Sequence, residues 1–552
     1  MPSFSHDKRL AEAMALHGAG KLTEATRLYQ SMLKDAPQTP EAIHMLGVIA
    51  QQSGNPAHAL KLMEAALALK PDLAQAWSNR AIVLRALGRD DEALHSARMA
   101  TDCDPKQADG WSARGSLARK LGDTKEAQSC LARAVELKPD DALILQESAQ
   151  MEAFLGRYAK AFSHYQKAAK LRPDLPQLGL ANLLAAAGYP ERSLEPYRQA
   201  YETLPAQQKA LARVGEGHAL LRMGEMEAGL TALEARPDGD DRFRAVPLWQ
   251  GEKVRHLLLH EDQGLGDVIF AARYLPLMTG RAEAITLVVA SPLVQLMEAH
   301  HSSLEPQGCA LTIQSVDRPV PASVEVRARM MSLPYFLKTT LATIPCAIPY
   351  LHATEEGRAV WRGWLAAKIP DQGLSGLGLP LVGLVWAGNR HNINDHNRSV
   401  PVDALEPLLQ TGQGRIVALQ REWNGAFPQA CPNAGPELQD FAATAGLLAE
   451  LDLLITVDTA AAHLAGAMGR PVWLLVPFDA EWRWLIGRED SPWYPSLRLF
   501  RQTAPQDWRG VTEQLATEMK RFLAGDKAVL VAKRWEGRPL RKNPLAISFP
   551  AH

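Results

Sequence analysis

The sequence predicts an all-α superhelical array of helical hairpins followed by an α/β region of two parallel-sheet lobes. Three observations carry this. Glycines at Gly20, Gly54, Gly88, Gly122 and Gly156 recur every 34 residues, with Gly188 following after 32. Prolines (Pro37, Pro71, Pro105, Pro139, Pro173, Pro205) and small residues (Ala25, Ala59, Ala93, Ala127, Ala161) keep the same register. From about Arg255 the texture changes to short apolar runs separated by helical stretches: "VRHLLLH", "AITLVVA", "LVGLVWAG", "RIVALQ", "DLLITVD" and "PVWLLVP".

Within the periodic part, "EAIHMLGVIAQQSG" and "AHALKLMEAALALKPD" are helical apolar patterns joined at the glycine and ended at the proline, so each unit is a helical hairpin. One hairpin cannot bury its own apolar face; stacked copies share a continuous core and curve into a groove. The groove is a peptide-binding or an oligomerisation surface. "PYRQAYETLP" and "GEMEAGLTALEARP" continue the pattern with degraded spacing, giving a sixth and a seventh hairpin and an array over residues 6–239.

In the second part the alternation of strand-like runs with helices implies parallel sheets covered on both faces. The glycine-rich "LSGLGLPLVG", Leu374 to Gly383, reads as a link between lobes at 247–372 and 378–525, followed by a basic extension, 526–552, expected to be solvated. The texture alone fits a transferase or a two-domain binding protein.

Composition narrows the function class. Lysine plus arginine (60) nearly balances aspartate plus glutamate (61), so nothing global argues for nucleic acid or an anionic membrane. The charged start "MPSFSHDKRLAEAM" lacks an apolar core, and no uninterrupted run of about 18 apolar residues occurs. Five scattered cysteines without C-x-x-C spacing predict neither disulfides nor a zinc site. A soluble, cytoplasmic protein is expected.

The first part resembles the tetratricopeptide repeat: Trp77 and Trp111 fall at its aromatic position and Gly47 and Gly115 at its helix-packing position, the match covering roughly residues 6–205. Only Asn79 sits where the nucleocytoplasmic N-acetylglucosaminyltransferases carry an asparagine ladder, so peptide recognition of that kind is not expected. The second part, in "EDQGLGDVIFAARY", "GLVWAGN…NDHNRS", "ITVDTAAAHLAGAMGRPVW" and "DSPWYPSLRLFRQ", resembles the heptosyltransferase-like GT-B glycosyltransferases often fused to such repeats in bacteria. The resemblance implies two Rossmann-like lobes and an inverting, metal-independent transfer from a nucleotide sugar. Its acceptor is expected to be a protein held by the repeats, flagellin among the fused relatives. Two competitors remain: a lipopolysaccharide heptosyl- or hexosyltransferase, and a non-catalytic repeat scaffold with a nucleotide-binding domain.

Strand, then "GLGD", then helix puts Asp267 at the first turn of a helix beside Gly264 and Gly266, where a ligand can approach the backbone. Ile269 at the third glycine position breaks a dinucleotide fingerprint. Asp267 can be a helix cap. By resemblance it faces the acceptor hydroxyl as general base, with Glu261 and Asp262 as substitutes; an alcohol is a poor nucleophile without one. In "TVDTAAAHLAGAMGRP" a strand ends at Asp458 and a small-residue helix starts after Thr459, a place where phosphate is held. The resemblance implies that Asp458, Thr459 and His463 contact the donor nucleotide.

The polar loop "NRHNINDHNRSVP" follows another strand, beginning at Asn389, a further donor-side candidate; its Arg398 is the candidate cation for the departing phosphate. His391, Asp395 and His396 in that loop read as hydrated surface rather than a metal site. The two D-x-D patterns, Asp102 to Asp104 in a repeat turn and Asp238 to Asp240 between domains, are not at strand ends, so no metal or other cofactor is expected. Trp482 or Arg483 can wall the donor pocket. A chain beginning near Arg242 is expected to fold without the repeats.

Overall fold

The computed structural model describes residues 3–238, 241–369, 380–389, 394–411, 414–421 and 431–549. It forms two compact units, Met1–Leu175 with Ser548–His552, and Pro176–Ile547.

The first unit consists of hairpins. They pair α1 (Ser3–Gly18) with α2 (Leu22–Asp35), α3 (Pro40–Gln52) with α4 (Pro56–Leu69), and α5 (Ala74–Ala86) with α6 (Asp90–Cys103). Then α7 (Ala108–Lys120) pairs with α8 (Thr124–Leu137), and α9 (Ala142–Phe154) with α10 (Tyr158–Leu171). The periodic residues have definite tasks. Gly54 and Gly88 turn the chain at φ +78° and +75°, a region open to glycine. The turn at Gly54 closes with Asn55 N–H donating to the Ala50 carbonyl at 2.9 Å, which satisfies a helix-end acceptor. Ala25, Ala59, Ala93, Ala127 and Ala161 are fully buried. A Cβ on Gly115 would lie 2.7 Å from the Leu131 side chain, so the two helices of that hairpin touch because this position is bare. Trp77 and Trp111 donate their indole N–H to the carbonyls of Pro71 and Pro105 at 2.8 and 2.9 Å, which ties each aromatic to the preceding proline turn.

The second unit opens with two more hairpins, α11 (Leu178–Ala186) with α12 (Pro190–Thr203) and α13 (Lys209–Arg222) with α14 (Met226–Leu233). The array read from the sequence runs to residue 239, but its last two hairpins group with the α/β lobes. Packing gives the reason. Leu221, Met226, Leu230 and Leu233 join the core that runs through both sheets. Arg222 on α13 donates to the Ala185 carbonyl at 3.0 Å and binds Asp479 and the Ala480 carbonyl.

The first lobe runs β1 (Val254–His260), α15 (Leu265–Ala271), β2 (Ala282–Val289), α16 (Ser291–Ala299), α17 (His301–Leu304), β3 (Ala310–Ser315), β4 (Val326–Arg329) and α18 (Leu333–Phe336). Its parallel sheet has the order β3-β2-β1-β4. The second lobe contains α19 (Glu355–Lys368), β5 (Val382–Val385), α20 (Asp395–Arg398), α21 (Glu406–Thr411), β6 (Ile416–Ala418) and α22 (Phe441–Glu450). It continues with β7 (Leu453–Val457), α23 (Ala460–Ala467), β8 (Val472–Val476), β9 (Leu497–Arg501) and α24 (Trp508–Leu523), in a parallel sheet ordered β6-β5-β7-β8-β9. β5, β7 and β8 are buried along their whole length, as their uninterrupted apolar runs require.

The glycine-rich link lies outside the described residues as far as residue 379. α19 precedes it in sequence but packs on α22: a Cβ on Gly446 would meet the Gly357 carbonyl and the Trp361 ring at 2.8 Å. α19, inside the 247–372 span read as the first lobe, therefore packs with the second. The C-terminal extension, expected to be solvated, is docked instead. Trp535 N–H donates to Asp490 at 2.9 Å, Arg541 pairs with Glu225 at 2.6 Å, and the Asn543 and Ile547 amides bind the Gly188 and Ala187 carbonyls at 2.9 and 3.1 Å. Its basic side chains fail as a signal because Arg541 finds a carboxylate and Lys542 lies 4.9 Å over the Tyr189 ring. Among the described residues no helix is long and apolar enough to cross a membrane.

Candidate functional site

Both sheets reverse strand order at one place. β1 lies between β2 and β4, and β5 between β6 and β7, so each lobe has a crevice at the carboxyl ends of those strands. The segments that follow β1, β5 and β7 carry Asp267 (in α15), Arg398 (in α20) and Asp458 respectively. The sheet topology thus sets these three residues beyond the carboxyl ends of the strands.

Asp267 stands in the first turn of α15. Its Oδ2 accepts the Gly264 amide at 2.8 Å, closing the helix start, while Oδ1 pairs with the guanidinium of Arg483 from the turn after β8. It is a cap and a partner in an ion pair across the lobes at once. Each oxygen retains a further lone pair. The two substitutes are occupied: Glu261 Oε2 accepts the Ala290 amide at 3.1 Å, and Asp262 pairs with Arg236 at 3.2 Å. Burial pushes the Asp262 carboxyl up against the pull of Arg236 and Arg329.

Gly266 does not open the backbone to a ligand. A Cβ there would lie 2.9 Å from His463 Cδ2 and 3.2 Å from Ala460 Cα, so this glycine lets α15 approach α23 of the other lobe. Gly266→Ala is therefore expected to lower the melting temperature, with a cost of about 1–3 kcal/mol typical of overpacking. Thermal unfolding checks this, and an unchanged midpoint would show that the lobes part freely. Gly264 has open space on its Cα apart from ordinary contact with Asp267 Oδ2 at 3.4 Å, and its amide serves the cap.

Asp458 ends β7. Oδ2 accepts the Trp484 indole N–H at 2.8 Å, and burial raises its pKa despite that bond and the nearby Arg483 and Arg398. Thr459 turns its hydroxyl to Thr456 at 3.1 Å and makes no side-chain cap, which leaves the first amides of α23 without a side-chain partner. His463 departs from the contact implied by the resemblance. The ring is 5 % exposed, stacked on Trp484 at 5.6 Å, with Nδ1 3.0 Å from the Tyr494 hydroxyl. Burial, then Arg483 and Arg273, hold its pKa well below the usual value. The neutral His463 ring is turned to Tyr494, with Nε2 3.8 Å from Asp458 Oδ1.

Arg398 closes the four-residue α20. Nε binds Asp395 at 3.1 Å and Nη1 the Asp458 carbonyl at 3.1 Å, and a Cβ on Gly388 would collide with the guanidinium. The cation is thereby fixed beside the end of β7. Asp395 is engaged by Arg398 and by the Ser399 hydroxyl at 3.0 Å, while Asn389 and His396 are exposed. His391 lies outside the described residues, as do residues 239 and 240 of the second D-x-D pattern, whose Asp238 pairs with Arg327.

The turn "EWRW" is the part of the site least visible in sequence. Arg483 binds Glu481 at 2.6 Å as well as Asp267, and its guanidinium covers Phe270 at 4.5 Å and Trp482 at 4.7 Å. Burial opposes its charge, but Glu481, Asp267 and Asp458 together hold its pKa above the ordinary value. Glu481 is pushed up to about 7, first by burial, against the attraction of Arg483. Glu481, Trp484 and Tyr494 were not singled out in the sequence; a signal was available in charged residues alternating with tryptophans straight after a buried strand.

Residues 44–108 and 112–176 match the tetratricopeptide repeat family model, so the chain carries tetratricopeptide repeats. A curated relative, FlbA of Caulobacter vibrioides, is 27 % identical over 349 residues, 57 % of this chain and 56 % of FlbA; the match thus spans about half of that protein. Solved structures that resemble part of the chain include a tetratricopeptide repeat protein from Parabacteroides merdae, 19 % identical over 43 % of this chain and 94 % of that one, TM-score 0.34. PilF of Pseudomonas aeruginosa is 16 % identical over 42 % of this chain and 98 % of its own, TM-score 0.32.

Proposed function

We propose that this protein is an inverting glycosyltransferase that moves a sugar from a nucleotide sugar to a hydroxyl of a protein acceptor recruited by the repeats, with flagellin as the acceptor class named by the resemblance. The observation that carries the reading is the convergence of Asp267, Arg398 and Asp458 at the strand-order reversals of two parallel sheets. Asp267 offers a carboxylate to an attacking hydroxyl. Arg398 and the amides at the start of α23 offer positive potential to a leaving phosphate, the charge that grows as the glycosidic bond breaks. The repeats add a protein-binding surface that a small-molecule acceptor does not need.

The test is a thermal shift series with CMP, UDP, ADP and GDP, followed by transfer with sugar nucleotides of the base that binds. Binding to the native state raises apparent stability by mass action, so one nucleotide should stand out. If none shifts the midpoint, the reading falls. Transfer is expected to survive EDTA, and Arg398→Ala to cost roughly 2–4 kcal/mol of transition-state stabilisation, the scale of losing one donor to developing charge. Steady-state kinetics measures this, and activity abolished by EDTA and restored by manganese or magnesium would remove the metal-independent mechanism.

A further inference from the structure

A carboxylate that must accept a hydrogen bond from an alcohol is in competition with any guanidinium that holds it. Asp267 is in that position. Each of its two oxygens has one partner, the Gly264 amide and Arg483 respectively. Arg483 is itself contested. Nη1 binds Glu481 at 2.6 Å, Nη2 serves Asp267, and its buried Nε has no hydrogen-bond partner. The side chain rises from a turn next to Asp458 and its partner Trp484, beside the start of α23. The other cation there, Arg398, is anchored on Asp395 and the Asp458 carbonyl. Arg273 is committed to the Phe270 and Trp493 carbonyls at 3.0 and 2.8 Å, and His463 to Tyr494. Arg483, whose Nη2 also touches Met331 Sδ at 3.5 Å, is the one of these cations whose charged partners are two carboxylates, which another anion can replace.

We infer that Arg483 is a phosphate-binding residue of the donor site, and that the phosphate of a bound nucleotide draws it away from Asp267. This rests on the glycosyltransferase reading and deepens it. A guanidinium fork matches two phosphate oxygens as it matches a carboxylate, so the exchange keeps its hydrogen bonds. The released Asp267 oxygen is open to an acceptor hydroxyl only when a donor is present. Nucleotide and Asp267 thus compete for one cation, and donor binding precedes base activation. The competition fixes the sign of an effect that a bystander role does not produce: removing the negative charge of Asp267 should strengthen nucleotide binding.

The experiment uses the full chain and the best-bound of CMP, UDP, ADP and GDP, with dissociation constants by calorimetry and unliganded melting curves as folding controls. Asp267→Asn is expected to bind that nucleotide about five-fold or more tightly, the lower range of coupling between sites. Arg483→Gln should bind about ten-fold more weakly, with Arg483→Lys between it and the parent, since lysine keeps the charge but not the fork. The double variant should match Arg483→Gln, because Asp267 acts on nucleotide only through Arg483. Unchanged or weaker binding by Asp267→Asn overturns the inference, as does a double variant that regains the tighter binding. Should Arg483→Gln fail to fold, the sign of the Asp267→Asn effect decides alone. A parent protein that binds none of the four nucleotides overturns the glycosyltransferase reading itself, a result distinct from a parent that binds and an Asp267→Asn variant that binds no better.

Discussion

A chain beginning at Arg242 is expected to remain unfolded, whereas one beginning at Pro176 is expected to fold. This reverses the expectation from sequence, in which the repeats end near residue 239 and the lobes bury their own cores. The last hairpin is wired into the first sheet. Glu234 accepts the Ser332 hydroxyl at 2.8 Å and pairs with Arg329 at 3.4 Å, Arg236 pairs with Asp262 at 3.2 Å, and Asp238 with Arg327. Arg327 and Arg329 are 2 % and 6 % exposed, so the cut strands two buried guanidinium groups and the Asp262 carboxylate. Breaking one such pair costs about 3–5 kcal/mol, against a net stability of about 5–15 kcal/mol for a whole domain. Loss of Leu221, Met226, Leu230 and Leu233 from the shared core adds to it, about 1.5–3 kcal/mol per side chain. Gel filtration, far-ultraviolet circular dichroism and thermal melting of the two truncations decide the matter; a cooperative melt from the Arg242 start would show that the ion pairs are dispensable.

The same residues show what the sequence could and could not say. The 34-residue rhythm was legible because one turn geometry, with its left-handed glycine and its proline-capped aromatic, repeats whatever the surroundings. β1 coincides with "VRHLLLH" because an apolar run in a parallel sheet needs no alternation. β4, "VRAR", escaped because its arginines are buried by partners elsewhere in the chain, Asp238 and Glu234, that no local pattern announces. The site divides the same way. Asp267, Arg398 and Asp458 lie just past strand ends and can be found by reading along the chain. The engagement of Asp267 by Arg483 joins residues 216 apart in sequence, and the burial of His463 by Trp484 and Tyr494 depends on a turn whose path follows only from packing. A helix start with a histidine in it looks the same in sequence whether the ring faces ligand or core.

Asp267→Asn should reduce turnover by about 10²–10⁴, the usual scale of general acid–base catalysis. The substitution separates the two tasks of this side chain. Asparagine keeps an oxygen for the Gly264 amide, so the start of α15 remains closed, while its NH2 stands where the second oxygen was and cannot accept from Arg483. What it removes is the charge and the capacity to accept a proton. Loss of the pair with the buried Arg483 is expected to lower the melting temperature in this variant and in Asp267→Ala alike, so the two are compared with each other. Asp267→Ala, which also removes the cap, should show the same loss of rate with an added stability cost of about 0.5–2 kcal/mol. Rates and melting curves of the two variants, measured side by side, distinguish base from cap. If Asp267→Asn transfers sugar at nearly the parental rate while Asp267→Ala is destabilised, the carboxylate is a cap and a tether for Arg483, and the proton must leave through another group in the cleft.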